Sequence, residues 1–164
     1  MINQATAVKL DTMPTCQYCK KSFSKQSTLE VHMCEPKRRW SQKDNKIHVL
    51  AFEIFRRFYE MNFSNQKPKT FTDFAQSQYY KAFVKTATFI TENTPIEIGA
   101  FIDWLCTSKI RIDSWAKQGT IDSYLKHLIR TEPVPQALNR TIMTMGAWAE
   151  QEDARIEDFF KYVN

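Results

Sequence analysis

Glycine is scarce in this chain of 164 residues, occurring only as Gly99, Gly119 and Gly146. A glycine-rich phosphate loop of either the dinucleotide or the mononucleotide kind is therefore missing, and an all-β fold with many tight turns is poorly supplied. Nucleotide-driven chemistry is not expected. Long apolar runs are missing as well: no stretch reaches eighteen residues, and the first six, Met1 to Thr6, lack the basic start and apolar core of a secretory signal. The expectation is a cytoplasmic chain that makes no membrane contact.

What the chain does contain is 43% apolar and 25% charged residues with 13% aromatics, the composition of a soluble globular protein of about one domain. The formal charge of +5 is unevenly placed. Residues 1–46 hold nine Lys or Arg against four Asp or Glu, whereas the other 118 residues hold fourteen of each. The whole excess sits on the N-terminal quarter, where it would attract a polyanion. Four cysteines in a chain without a secretion signal point to metal ligands or buried thiols rather than disulfides.

Three of those cysteines lie in Cys16-Gln-Tyr-Cys19-Lys-Lys-Ser-Phe23-Ser-Lys-Gln-Ser-Thr-Leu29-Glu-Val-His32-Met-Cys34. Two cysteines separated by two residues reach one Zn²⁺ from a tight turn, and a histidine twelve residues on returns from a helix toward the same ion. Phe23 and Leu29 fall where a small core is needed. The segment resembles the two-cysteine, two-histidine zinc finger, which matches in the C-x2-C pair, the aromatic, the leucine and the first histidine over about twenty residues. The resemblance implies Zn²⁺ held by Cys16, Cys19, His32 and Cys34 in a small ββα unit.

The pattern departs from that family at the fourth ligand, where Cys34 follows His32 by only two positions. Side chains at i and i+2 of an α-helix point about 200° apart, so one ion cannot be reached by both from a regular helix. Because Pro36 disfavours helix at the residue before it, the helix is expected to end at His32 or Met33, with Cys34 turning back to the metal. The H-x-C ending followed by Lys37-Arg38-Arg39-Trp40 is similar to small zinc-finger proteins of large tailed bacteriophages. A phage-encoded chain would reside in the host cytoplasm or the virion.

After the finger the apolar residues recur with helical period. Ile47, Leu50, Ile54, Phe58 and Met61 form one stripe, widened by Val49, Phe52, Phe55 and Tyr59. Ser64 to Lys69 reads as a loop. Thr72 then caps a helix bearing Ala75, Tyr79, Ala82, Phe83, Thr86, Ala87 and Ile90. Thr94-Pro95-Ile96-Glu97 reads as a capping box opening a helix with Ile98, Phe101, Ile102 and Leu105. Thr120 caps a helix bearing Ile121, Tyr124, Leu125, Leu128 and Ile129. Pro133-Val134-Pro135 starts another, with Leu138, Ile142, Met145 and Ala149 facing inward, and Ile156 to Val163 returns upon it. Cys106 reads as a buried core thiol. The predicted fold is mainly α: a tail at 1–13, a finger with its basic cluster at 14–40, and an all-helical bundle domain at 41–164 whose fold does not depend on the finger.

The helices carry no recognisable catalytic spacing. Asp103, Asp113 and Asp122 come from separate segments, and His127 reads as a surface residue, so neither an enzyme nor a small-molecule substrate is expected. The leading function is nucleic-acid binding by the finger, with a protein partner on the helical domain. In the docking mode that the resemblance implies, Lys25, Ser27, Thr28 and Val31 face bases. Lys20, Lys21, Lys25, Lys37, Arg38 and Arg39 supply contacts to phosphates with little sequence preference. The alternative is a zinc-stabilised structural or adaptor protein, a virion component or a cofactor of host machinery, with protein partners only.

Overall fold

In the computed structural model, residues 13–63, 67–95 and 97–163 are described. Residues 1–12 of the expected tail, Ser64 to Gln66 of the expected loop and Ile96 of the expected capping box lie outside them. The described residues carry helices α1 (Gln26–Val31), α2 (Glu35–Trp40), α3 (Lys46–Asn62), α4 (Phe71–Gln76), α5 (Tyr80–Asn93), α6 (Ile98–Thr107), α7 (Gln118–Thr131), α8 (Val134–Gln151) and α9 (Phe159–Tyr162), with 3₁₀ turns at Ile112–Ser114 and Ile156–Asp158. The mainly α class holds.

The expected ββα finger does not. Among the described residues there is no strand, only an isolated antiparallel bridge between Thr15 and Ser22. The Phe23 amide donates to the Pro14 carbonyl at 2.7 Å, but Pro14 has no N–H to return, so the ladder cannot continue outward. A turn replaces the hairpin.

The chain divides into two compact units, Met1–Thr120 and Ile121–Asn164. The first of these holds residues 14–40 together with α3 to α6. In the first unit α3 packs against α4, α5 and α6. It starts where the Asn45 side chain accepts the Ile47 amide at 2.9 Å, and Ala51, Ile54 and Phe55, spaced by three and four, are buried. Phe55 stands 5.3 Å from Phe74 and edge-on to Phe83 at 5.5 Å. Trp115 meets both Phe58 and Phe83 edge-on, and its indole N–H donates to the Ile110 carbonyl at 3.0 Å. The buried rings of Phe55, Phe74, Phe83 and Trp115 contribute roughly 2–3 kcal/mol each. Cys106 is buried as expected, and burial pushes its thiol up to about 12.

Three expected boundaries move. The cap expected at Thr72 is Thr70, whose hydroxyl accepts the Asp73 amide while Asp73 accepts the Thr70 amide. The helix read as continuous from there breaks at Ser77, where the backbone is extended and the hydroxyl accepts the Tyr79 amide, a local partner that competes with the helical ladder. Tyr80, not Tyr79, is then buried. The Thr94 to Glu97 box is absent. Thr94 and Glu97 have φ of 37° and 52°, whereas an N-cap needs extended backbone. Thr94 instead closes α5, its amide donating to the Ile90 carbonyl.

α7 begins at Gln118, so Thr120 lies inside it and donates its hydroxyl to the Ser114 carbonyl at 2.8 Å. In the second unit α8 begins at Pro133-Val134-Pro135 as expected. Glu132 and Arg140 form a forked pair at 2.7 and 3.2 Å, and Trp148 packs edge-on to Phe159. The expected inward face of α8 is buried only at Ala149; Leu138 and Ile142 are exposed.

Candidate metal centre

Cys16 and Cys19 are brought together by a tight turn. The Lys20 amide donates to the Cys16 carbonyl at 2.8 Å and the Cys16 amide to the Lys21 carbonyl at 2.9 Å. Closing so short a turn takes a left-handed residue, here Lys20 with φ 61°. Phe23 and Leu29 are half-buried beneath the turn, and the Phe23 ring lies 4.7 Å from the His32 imidazole.

The problem of the H-x-C spacing is solved by ending the helix early. α1 stops at Val31; His32 is extended with ψ 123°, and Cys34 is extended with φ −99° and ψ 164°. In extended chain, residues i and i+2 share a face, so His32 and Cys34 point together while the intervening Met33 is exposed. Cys34 then serves as the N-cap of α2, with Pro36 in its first turn. The proline starts a second helix as well as excluding the first, and that second helix is not legible as a separate signal in the sequence.

The four donor atoms of Cys16, Cys19, His32 and Cys34 all lie within 4.8 Å of one another. Cys16 Sγ is 3.9 Å from Cys34 Sγ, and Cys19 Sγ is 3.3 Å from His32 Nε2. Tetrahedral bonds of about 2.3 Å to sulfur and 2.0 Å to nitrogen require S···S near 3.8 Å and S···N near 3.5 Å, so the set fits one ion with little rearrangement. The Cys19 N–H directed at the Cys16 sulfur lowers the pKa of that thiol, whereas burial raises that of Cys34. The Lys37 ammonium donates to the His32 carbonyl at 3.1 Å, placing a cation beside the cluster.

The centre is tied to the helices of the first unit. Gln76 donates to the Tyr18 carbonyl at 2.9 Å, and the Tyr18 ring packs against Trp40 with centroids 5.5 Å apart. Arg39 donates to the carbonyls of Ala75 and Ser77 at 3.2 Å and lies 4.6 Å over the Tyr80 ring. These attachments have no signature in the sequence.

The residues expected to meet nucleic acid separate into two groups. Lys20, Lys21, Lys25, Ser27, Thr28, Val31 and Arg38 are exposed. Lys37 is half-buried at the His32 carbonyl, and Arg39 is engaged with α4 and Tyr80. α1 buries no residue, so Ser27, Thr28 and Val31 are open on its surface, as is Lys25 at its N-cap. Among the described residues no helix is long and apolar enough to cross a membrane.

No protein-family model, curated protein or solved structure matches the chain, and what stands of the zinc-finger resemblance is the convergence of four ligands on one candidate metal site.

Proposed function

We propose that the chain is a zinc-dependent nucleic-acid-binding protein whose finger makes largely sequence-tolerant contacts. The observation that carries the reading is a three-sulfur, one-nitrogen donor set at tetrahedral spacing surrounded by exposed cations. Thiolate sulfur with imidazole in a closed four-ligand site suits Zn²⁺ over the hard cations, which prefer oxygen. About twenty residues bury too little to fold alone, so the ion supplies folding energy and holds α1 in place.

Of the six cations expected to meet phosphate, Lys20, Lys21, Lys25 and Arg38 are open to it, with Lys37 in reach at the cost of its carbonyl partner. Sequence readout is thin. α1 has six residues, and with Lys25 at its N-cap the outward positions offer one lysine, two hydroxyls and a valine. Four or five phosphate contacts imply that log K falls with log salt at a slope of about −3.6 to −4.5 on duplex DNA. The test is anisotropy of the zinc-loaded chain with labelled duplexes of unrelated sequence across a salt series. Equal affinities with that slope support the reading; no association at low ionic strength overturns it. That second outcome would favour the adaptor reading, which draws on the exposed apolar side chains of the second unit.

A further inference from the structure

Of the two metal ligands at helix ends, His32 has the weaker anchorage. α1 buries no residue, whereas α2, which Cys34 caps, packs against α4 and is tied there by Arg39. His32 is the C-cap of α1, extended at ψ 123°, and its ring meets Phe23 at 4.7 Å. A ligand that must be ordered as the metal binds lowers the affinity by the freedom it gives up.

Lys37 supplies the missing anchor. Arg38 and Arg39, its neighbours in α2, both pair with Glu35 of the same helix. Lys37 instead reaches back across Cys34, its Nζ donating to the His32 carbonyl at 3.1 Å. It is half-buried and lines a cleft with Cys16, Tyr18 and Leu29, while Lys20, Lys21 and Lys25 are exposed. Pinning a strongly hydrated ammonium on one neutral carbonyl costs water contacts and side-chain freedom, so the contact needs a further source of attraction. The donor set provides one. Three thiolates and a neutral imidazole around a divalent ion leave one net negative charge. Lys37 also acts through its backbone: burial raises the Cys34 pKa, and the Lys37 N–H directed at that sulfur opposes the shift.

We infer that Lys37 is a positioning residue of the metal centre: its ammonium fixes the His32 backbone so that the imidazole is presented to the ion, and offsets the charge that the three thiolates leave. Its place in Lys37-Arg38-Arg39 then serves zinc affinity before phosphate contact. The inference rests on the metal reading and is independent of nucleic-acid binding.

The test is the zinc affinity of the full chain, measured by competition with a chromophoric chelator. Lys37→Met, which keeps the length but removes the charge and the donors, should weaken zinc binding about 10–100-fold. Lys37→Arg should restore most of it, since a single carbonyl accepts from either cation. Lys25→Met, which removes the same charge from an exposed site of the finger, should leave the affinity unchanged. A loss of fold stability alone would lower the urea midpoint of the metal-free chain, and that midpoint should not move. In the cobalt-loaded chain Lys37→Met should shift the d–d bands, which report the geometry around the ion, and Lys37→Arg should return them. Should Lys37→Met fail to fold by circular dichroism, Lys37→Gln carries the same expectations. A chain that takes up neither zinc nor cobalt overturns the metal reading and the inference together. Zinc held as tightly by Lys37→Met as by wild type, or weakened equally by Lys25→Met, overturns the inference alone, as does a metal-free midpoint that falls with the affinity.

Discussion

Replacing Arg39 by alanine should destabilise the first unit and leave the salt dependence of nucleic-acid binding unchanged, the opposite of what its place in Lys37-Arg38-Arg39 suggests. Its guanidinium donates to the Ala75 and Ser77 carbonyls at 3.2 Å and to Glu35 Oε1 at 3.1 Å, and lies 4.6 Å over Tyr80. Ala75 and Ser77 sit at the C-terminal end of α4, where carbonyls have no onward helical partner and a cation is favoured. A hydrogen bond from a charged donor contributes about 1.5–3 kcal/mol, and the stacked ring about 0.5–2 kcal/mol. The exposed Glu35 carboxylate adds little. These contributions share one side chain and do not add, so the expected loss is about 3 kcal/mol. With a urea slope of about 2 kcal/mol/M the midpoint falls by about 1.5 M. Arg39→Lys should recover less than half, since one ammonium cannot span two carbonyls and stack flat on the ring. Urea melts of the zinc-saturated variants by circular dichroism, beside an anisotropy salt series, provide the readout. Arg38→Ala should flatten the salt slope by about 0.9 with little loss of stability. The reasoning is refuted if Arg39→Ala melts like wild type and it is the salt slope that falls.

Elemental analysis should find one zinc per chain, and a Cys16→Ala, Cys19→Ala double variant that retains full zinc would remove the assigned ligands. Chelation should cost the helical signal of α1 and α2 while α3 to α6 persist on their own buried rings; cooperative loss of the whole far-ultraviolet signal would show the metal centre to be part of one core. Thr70→Ala should cost about 1 kcal/mol by breaking the cap of α4, measured by urea melts. The Thr70 N–H and hydroxyl hold Asp73 below the usual carboxylate range, so this contribution is full above that range and is lost as pH falls through the lowered pKa. His48 is half-buried with its Nδ1 unpartnered beside Tyr80, and burial lowers its pKa. The unfolded chain then binds the proton first, so stability should fall as pH drops from about 6.5 to the lowered folded value. His48→Gln should flatten that part of the pH profile relative to wild type; an unchanged profile refutes the assignment.

The ligand set was legible because its determinants are local. Two cysteines in one turn, an aromatic and a leucine at fixed offsets, and a proline two residues after Cys34 constrain a segment short enough that few backbone paths satisfy them all, and the early end of α1 follows. The start of α8 was legible for the same reason, since Pro133 and Pro135 admit a helix only from that point. The same local reasoning misplaced the Thr94 cap, whose polar pattern suits a capping box but whose backbone is left-handed where α5 gives way to α6. It also read α4 and α5 as one helix, because only the Ser77 hydroxyl's choice of the Tyr79 amide separates them. Charge could be counted along the chain but not assigned a task. Whether an arginine faces solvent or the open carbonyls of a helix 36 residues away in sequence depends on packing between elements, and so Arg38 remains available to a polyanion while Arg39 became a strut. Sequence periodicity likewise marked the apolar side of α8 without saying what covers it, since an amphipathic stripe records that burial is needed and only the tertiary structure shows whether the chain itself supplies it.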